Sequence, residues 1–162
     1  MTTAVIPGSF DPFTRGHRYI VERAAACFDQ LVITVVVNPN KRGLFTVDER
    51  IDLIREDCAD LPNVRVDRWA GLLVDYLRQE GIGALVKGLR SAVDFDYEVP
   101  MAQMNRDLAD VETLFLLSDP RFAHVSSSLV KEVAKLGGDV SQFLSPRIHE
   151  RLQAELTGER RA

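Results

Sequence analysis

Residues 31–37 read LVITVVV. Every side chain but Leu31 is branched at Cβ, and every one but Thr34 is apolar. A strand with one wet face alternates polar and apolar residues. This run does not alternate, so it reads as a strand covered on both faces, the habit of parallel sheets. Parallel neighbours need crossover helices, and the flanking sequence supplies them. Upstream, TAVI (3–6) is a short apolar run, and HRYIVERAAACF (17–28) carries apolar residues at helical spacing. Downstream, Thr46-Val47-Asp48-Glu49 fits a capping box that opens a helix to about Ala59. NVRVD (63–67), ALVKG (84–88) and VETLFLL (111–117) read as strands. GLLVDYLRQEG (71–81), residues 92–108 and SSSLVKEVAKLGG (126–138) read as helices, the first and last stopped by glycine. A last helix covers residues 146–156. The expectation is an α/β fold: a five-stranded parallel sheet with helices on both faces.

Such sheets bind ligands beyond the carboxyl ends of their strands, where the strand order reverses. Four segments fall there: PGSFDPFTRGH (7–17), NPNK (38–41), KGLR (87–90) and DPRFAHVSSS (119–128). In the first, Gly8 permits close backbone approach and Ser9 adds a hydroxyl. Gly16-His17 enters a helix, whose N-terminal amides favour an anion, and a histidine donor there can follow charge developing on a phosphate. Lys41 can reach the cleft as a point charge. Lys87 and Arg90 flank Gly88 at a strand end and suit a polyphosphate, although a solvated basic turn would read the same. Ser126, Ser127 and Ser128 exceed what one helix cap needs, and Lys131 follows a turn later. In DFDYE (94–98), Asp94 or Glu98 could hydrogen-bond a ribose or an ammonium group, or simply face solvent.

Composition narrows the classes. At 162 residues the chain is the size of one domain, read as 1–162 with a flexible tail at 158–162. The net charge of −4 argues against a general nucleic-acid binder, and the apolar runs are too short for a membrane span. No signal segment is evident, and Cys27 and Cys58 form no CxxC pair, so a reduced cytoplasmic protein is expected. His17, His124 and His149 are scattered, so no metal site is expected from the protein. Neither GxGxxG, GxxxxGK[ST] nor GxSxG occurs. Anion donors without a covalent nucleophile suit an enzyme that orients two phosphate-bearing molecules so that one attacks the other. A regulatory nucleotide-binding module stays open on these residues alone.

PGSFDPFTRGH, with its T-x-G-H end, resembles the nucleotidyltransferase signature. Together with VKGLR (86–90), DFDYE, MAQMN (101–105) and VSSSLVKEVA (125–134), it is similar to bacterial phosphopantetheine adenylyltransferases over essentially the whole chain. The resemblance implies the Rossmann-like nucleotidyltransferase fold. It also implies adenylyl transfer from ATP, with Mg²⁺, to 4′-phosphopantetheine, a homohexamer, and coenzyme A as a feedback ligand. By the family pattern His17, Lys41, Arg90 and Ser9 are catalytic. Ser9, Phe10, His17, Gly88, Leu89, Arg90, Glu98, Phe122, Ala123, His124, Val125, Ser126, Ser127 and Ser128 would contact ATP. Ser9, Lys41, Leu73 and Lys87 would contact phosphopantetheine. Four positions depart from the common pattern: Ser9 for Thr, Lys87 for Arg, Phe122 for Tyr or Trp, and His124 for Ser. T-x-G-H by itself also suits enzymes acting on nicotinamide mononucleotide or glycerol phosphate.

Overall fold

The computed structural model describes residues 2–40 and 42–158. Five strands, β1 (Thr3–Gly8), β2 (Gln30–Val37), β3 (Val64–Ala70), β4 (Ala84–Leu89) and β5 (Glu112–Leu117), form one sheet in the order β3-β2-β1-β4-β5. All neighbouring pairs are parallel. Six helices accompany them: α1 (Arg15–Ala25), α2 (Val47–Asp57), α3 (Leu73–Glu80), α4 (Ala92–Ala109), α5 (Ser127–Lys135) and α6 (Pro146–Thr157). Two single 3-10 turns, Pro120–Phe122 and Ser141–Phe143, were not expected from the sequence pattern.

The unbroken apolar run of β2 is explained by two cores. Leu31, Ile33 and Val35 join Ala4, Ile6 and Val86 in the larger one, under α1, α2, α5 and α6. Val32 points the other way, with Val5 and Leu85, against Tyr76 and Leu77 of α3. The two-residue period of a strand thus feeds both faces. Burial reaches zero exposure at Val5, Leu31, Val32, Ile33 and Leu85, so the sheet centre is dry.

Element boundaries shift in informative ways. The first helix begins at Arg15, two residues before the expected start, because Thr14 is its N-cap. It ends at Ala25, and Phe28 packs on the core from beyond the helix. The capping box at Thr46 and Glu49 is present. Gly81 closes α3 in the left-handed region at φ 65°. After α5, the Gly137 and Gly138 amides donate to the Ala134 and Val133 carbonyls, with Gly137 at φ 84°, which is a Schellman stop. Gly158 caps α6 at φ 76°; the rest of the expected tail, residues 159–162, lies outside the described residues.

Strand order reverses between β1 and β4. Connections from those two strands leave in opposite directions and open a crevice at their carboxyl ends.

Candidate active site

The crevice is a cavity of about 330 Å³ lined by residues of β1, the following loop, α1, β4, α4 and the start of α5. Of the expected site residues it collects Ser9, Phe10, His17, Lys87, Gly88, Arg90, Glu98, Phe122, Val125, Ser126 and Ser127. Ser128 lines a smaller cavity of about 120 Å³ that shares Ser9 and Ser127 with the first. Leu73, Leu89, Ala123 and His124 are not among the described residues lining either cavity. Leu73 packs on the smaller core at the start of α3, Leu89 is buried, and His124 meets Phe143 edge-on. Lys41 lies outside the described residues.

The loop is shaped around His17. Thr14 and His17 form a capping box in which the N3 residue is a histidine rather than Glu or Gln. The Thr14 hydroxyl accepts from the His17 amide at 3.3 Å, and the Thr14 amide donates to His17 Nδ1 at 3.0 Å. A backbone N–H can only donate, so Nδ1 is the acceptor and the ring proton sits on Nε2. Burial, then the positive charge of Arg90, push the imidazole down to about 4. His17 is therefore a neutral donor at ordinary pH. Phe13 stacks on its ring at 5.5 Å and 29°, while Phe10 meets it edge-on at 5.1 Å. Phe10 sits at φ 49°, a region bulky side chains avoid, so local strain accompanies the ring's placement. Gly8 is required here, because a Cβ would fall 2.7 Å from the Phe10 ring.

The cations are held as firmly. Arg90 Nε and Nη2 donate to the Asp94 carboxylate at 3.0 and 3.2 Å, and Nη1 donates to the Val125 carbonyl at 3.1 Å. Asp94, with its carboxyl lowered by Arg90, thus spends both oxygens on Arg90. Lys87 is ion-paired with Glu98 at 3.4 Å, both half-buried. Gly88, between these cations, lies on Ile20 of α1; a Cβ would approach Ile20 to 2.8 Å. Of the three serines, Ser126 caps α5 by accepting from the Leu129 amide, and Ser127 Oγ donates to the Pro12 carbonyl at 2.7 Å. The first-turn amides of Ser127 and Ser128 have no intrahelical acceptor and present the positive helix end.

Three side chains packed around the site escaped the sequence reading. Phe13 clamps the histidine. Asp11, within the loop, and Arg50 of α2, behind it, are both buried, and Arg50 holds the Ser9 carbonyl. A phenylalanine or an aspartate in a loop and an arginine on a helix give no signal until their partners are known.

A neutral donor histidine, an oriented guanidinium and a free helix N-terminus around one crevice equip the molecule to hold phosphates while charge shifts on them. The Cytidylyltransferase-like family matches residues 5–133, and this is the class that fold and site define: a nucleotidyltransferase. A solved structure described as a putative nicotinate-nucleotide adenylyltransferase from Vibrio parahaemolyticus has the same fold, with a TM-score of 0.69 over 99% of this chain and 98% of that chain at 18% identity. Nearer in sequence are the phosphopantetheine adenylyltransferases of Corynebacterium diphtheriae, 58% identical over 91% of this chain and 94% of that protein, and Corynebacterium efficiens, 57% identical over 95% and 98%. That of Corynebacterium glutamicum is 64% identical over 87% and 89%. The chain belongs to the phosphopantetheine adenylyltransferase family.

Proposed function

We propose that this enzyme transfers the adenylyl group of ATP to 4′-phosphopantetheine, giving dephospho-coenzyme A and pyrophosphate in coenzyme A biosynthesis. A phosphate oxygen of the acceptor attacks the α-phosphorus in line. The new P–O bond forms as the bond to the β-phosphate oxygen breaks, and pyrophosphate leaves with that electron pair. One observation carries the mechanism: His17 has Nδ1 occupied by the Thr14 amide and lines the crevice beside Arg90. Its Nε2–H is a fixed donor for the α-phosphate, worth most when charge develops there. Arg90, held by Asp94, supports the same phosphates. Ser9 and Lys41 handle the phosphates from the acceptor side, and the α5 amides at Ser127 and Ser128 receive the remaining phosphates of ATP. Gly88, Leu89, Glu98 and the segment Phe122 to Val125 border the nucleotide. Lys87, bridged to Glu98, stands between nucleotide and acceptor, and Leu73 meets the pantetheine arm.

Among the described residues no group of three or more His, Cys, Asp or Glu could hold a metal ion. Magnesium is proposed to arrive as part of the substrate, ligated by phosphates and waters. The enzyme is further proposed to work in the cytoplasm as a homohexamer, with coenzyme A competing for the site. Among the described residues no helix is long and apolar enough to cross a membrane.

The test is pyrophosphate release with ATP, magnesium and 4′-phosphopantetheine, for wild type and His17→Ala. Turnover should fall about 100-fold or more, roughly 3 kcal/mol, with ATP affinity nearly unchanged. Turnover of nicotinamide mononucleotide or glycerol phosphate in place of phosphopantetheine would overturn the acceptor. ATP binding without turnover of any acceptor would leave a binding module.

A further inference from the structure

Asp11 sits in the opening loop, yet it lines the smaller cavity rather than the crevice. It is 5% exposed. Its Oδ1 accepts from the Phe45 amide at 2.9 Å, and its Oδ2 accepts from the Leu44 amide at 2.8 Å and from Lys131 Nζ at 2.9 Å. Arg50 Nε lies 3.6 Å from Oδ1. The Arg50 guanidinium in turn donates to the Phe45 carbonyl from Nε and Nη2, at 3.0 and 2.8 Å, and to the Ser9 carbonyl from Nη1, at 3.2 Å. Gly43 passes directly over this guanidinium, where any Cβ would collide with it.

One carboxylate therefore ties the 43–45 segment and Lys131 of α5 to the opening loop, and Arg50 beside it carries the tie on to the Ser9 carbonyl. Burial raises its carboxyl, but the Phe45 and Leu44 amides and Lys131 outweigh that and hold it low, so it stays ionised. A cap or a turn would need one such contact. Ser9, whose carbonyl Arg50 holds, is shared by both cavities.

We propose that Asp11 is a positioning residue for the phosphate acceptor: it latches residues 43–45 and the Lys131 ammonium against the opening loop, and so sets the width of the cavity beside Ser9. The proposal rests on the reading that the acceptor phosphate lies on the Ser9 side of the site. The nucleotide contacts of His17, Arg90 and Glu98 do not run through Asp11, and the Ser127 and Ser128 amides proposed for ATP are set by the start of α5 and the Ser126 cap rather than by Lys131. Loosening the latch should therefore separate the two substrates.

Two variants test it. Asp11→Asn keeps the size and removes the charge; Gly43→Ala leaves Asp11 intact and pushes the segment off Arg50. In both, the KM for 4′-phosphopantetheine should rise at least about tenfold, while the Kd for ATP stays within about twofold. Limited trypsin digestion supplies a readout that needs no acceptor. Arg42 is exposed beside the latched segment, and cleavage there should speed up about tenfold or more in both variants at temperatures well below their unfolding. Unchanged cleavage and unchanged KM would overturn the proposal. Parallel loss of ATP and acceptor binding would reduce Asp11 to a general stabiliser and overturn it too. If wild type does not turn over phosphopantetheine, the reading of the reaction fails, while the digestion still decides whether Asp11 is a latch.

Discussion

The proposed mechanism turns on one imidazole whose proton is placed by the backbone. With Nδ1 bound to the Thr14 amide, His17 is neutral and keeps its ring proton on Nε2, so a donor role needs no prior protonation. Its pKa of about 4 is below the unfolded value of 6.5. The unfolded chain therefore takes up the proton first. The stabilisation is complete above pH 6.5 and is lost progressively as pH falls towards 4. A histidine resonance that vanishes in His17→Gln should titrate near pH 4 in the free enzyme; a midpoint near 6.5 would show the ring to be solvated. In denaturant unfolding, the stability advantage of wild type over His17→Gln should shrink between pH 6.5 and 4. Gly88 makes a second residue-scale case. Its Cβ would meet Ile20, so Gly88→Ala should cost about 1–3 kcal/mol by overpacking, read as a lower urea midpoint, and should reduce kcat by moving Lys87 and Arg90.

At the scale of elements, the helix start does double duty. Thr14 caps α1 through its hydroxyl and holds the histidine through its amide. Thr14→Ala removes the hydroxyl and a methyl but keeps the amide, so it should cost about 1–2 kcal/mol of stability and leave kcat within about threefold of wild type, far from the loss expected for His17→Ala. Equal losses would mean that the hydroxyl, not the amide, orients the ring. Much of this element structure was legible. The β-branched run of β2 and the strand–helix alternation carried the parallel sheet, and the glycine stops carried the ends of α3 and α5. The crevice was legible in large part: residues of PGSFDPFTRGH, KGLR and DPRFAHVSSS line it, while of NPNK, among the described residues, only Asn38 is found, in the smaller cavity. Less legible was anything requiring a partner far along the chain. Asp11 stands inside the quoted loop, but its meaning lies with Lys131, 120 residues away. Asp94, read as a partner for ribose or ammonium or as a solvated residue, lines the crevice and accepts from the Arg90 guanidinium, a pairing the spacing did not announce. The pairing of Lys87 with Glu98 joins β4 to α4 across a side-chain distance no spacing rule encodes.

At the scale of the whole molecule, the uneven covering of the sheet stands out. On α4 only Asn105 is buried. Val93, Tyr97, Met101, Met104 and Leu108 are 75%, 82%, 57%, 53% and 44% exposed. At 100° per residue they form one stripe along the helix. Beside it runs β5, the edge strand, with Leu114 and Leu117 exposed. A monomer that displayed this surface would carry an apolar patch of the kind that marks an interface. An edge strand is also open to pairing unless something covers it. A second copy is the occupant the proposed hexamer supplies, and the stripe lies on the helix that also carries Asp94 and Glu98. Assembly would then brace the helix that orients Arg90 and Lys87. Light scattering of wild type should give about six times the chain mass of 18.2 kDa. Tyr97→Glu with Met101→Glu should yield smaller species that keep their far-ultraviolet helix signal, with kcat reduced more than ATP affinity because the α4 clamp loosens. A wild-type mass equal to one chain would leave the stripe without its partner and overturn the assembly.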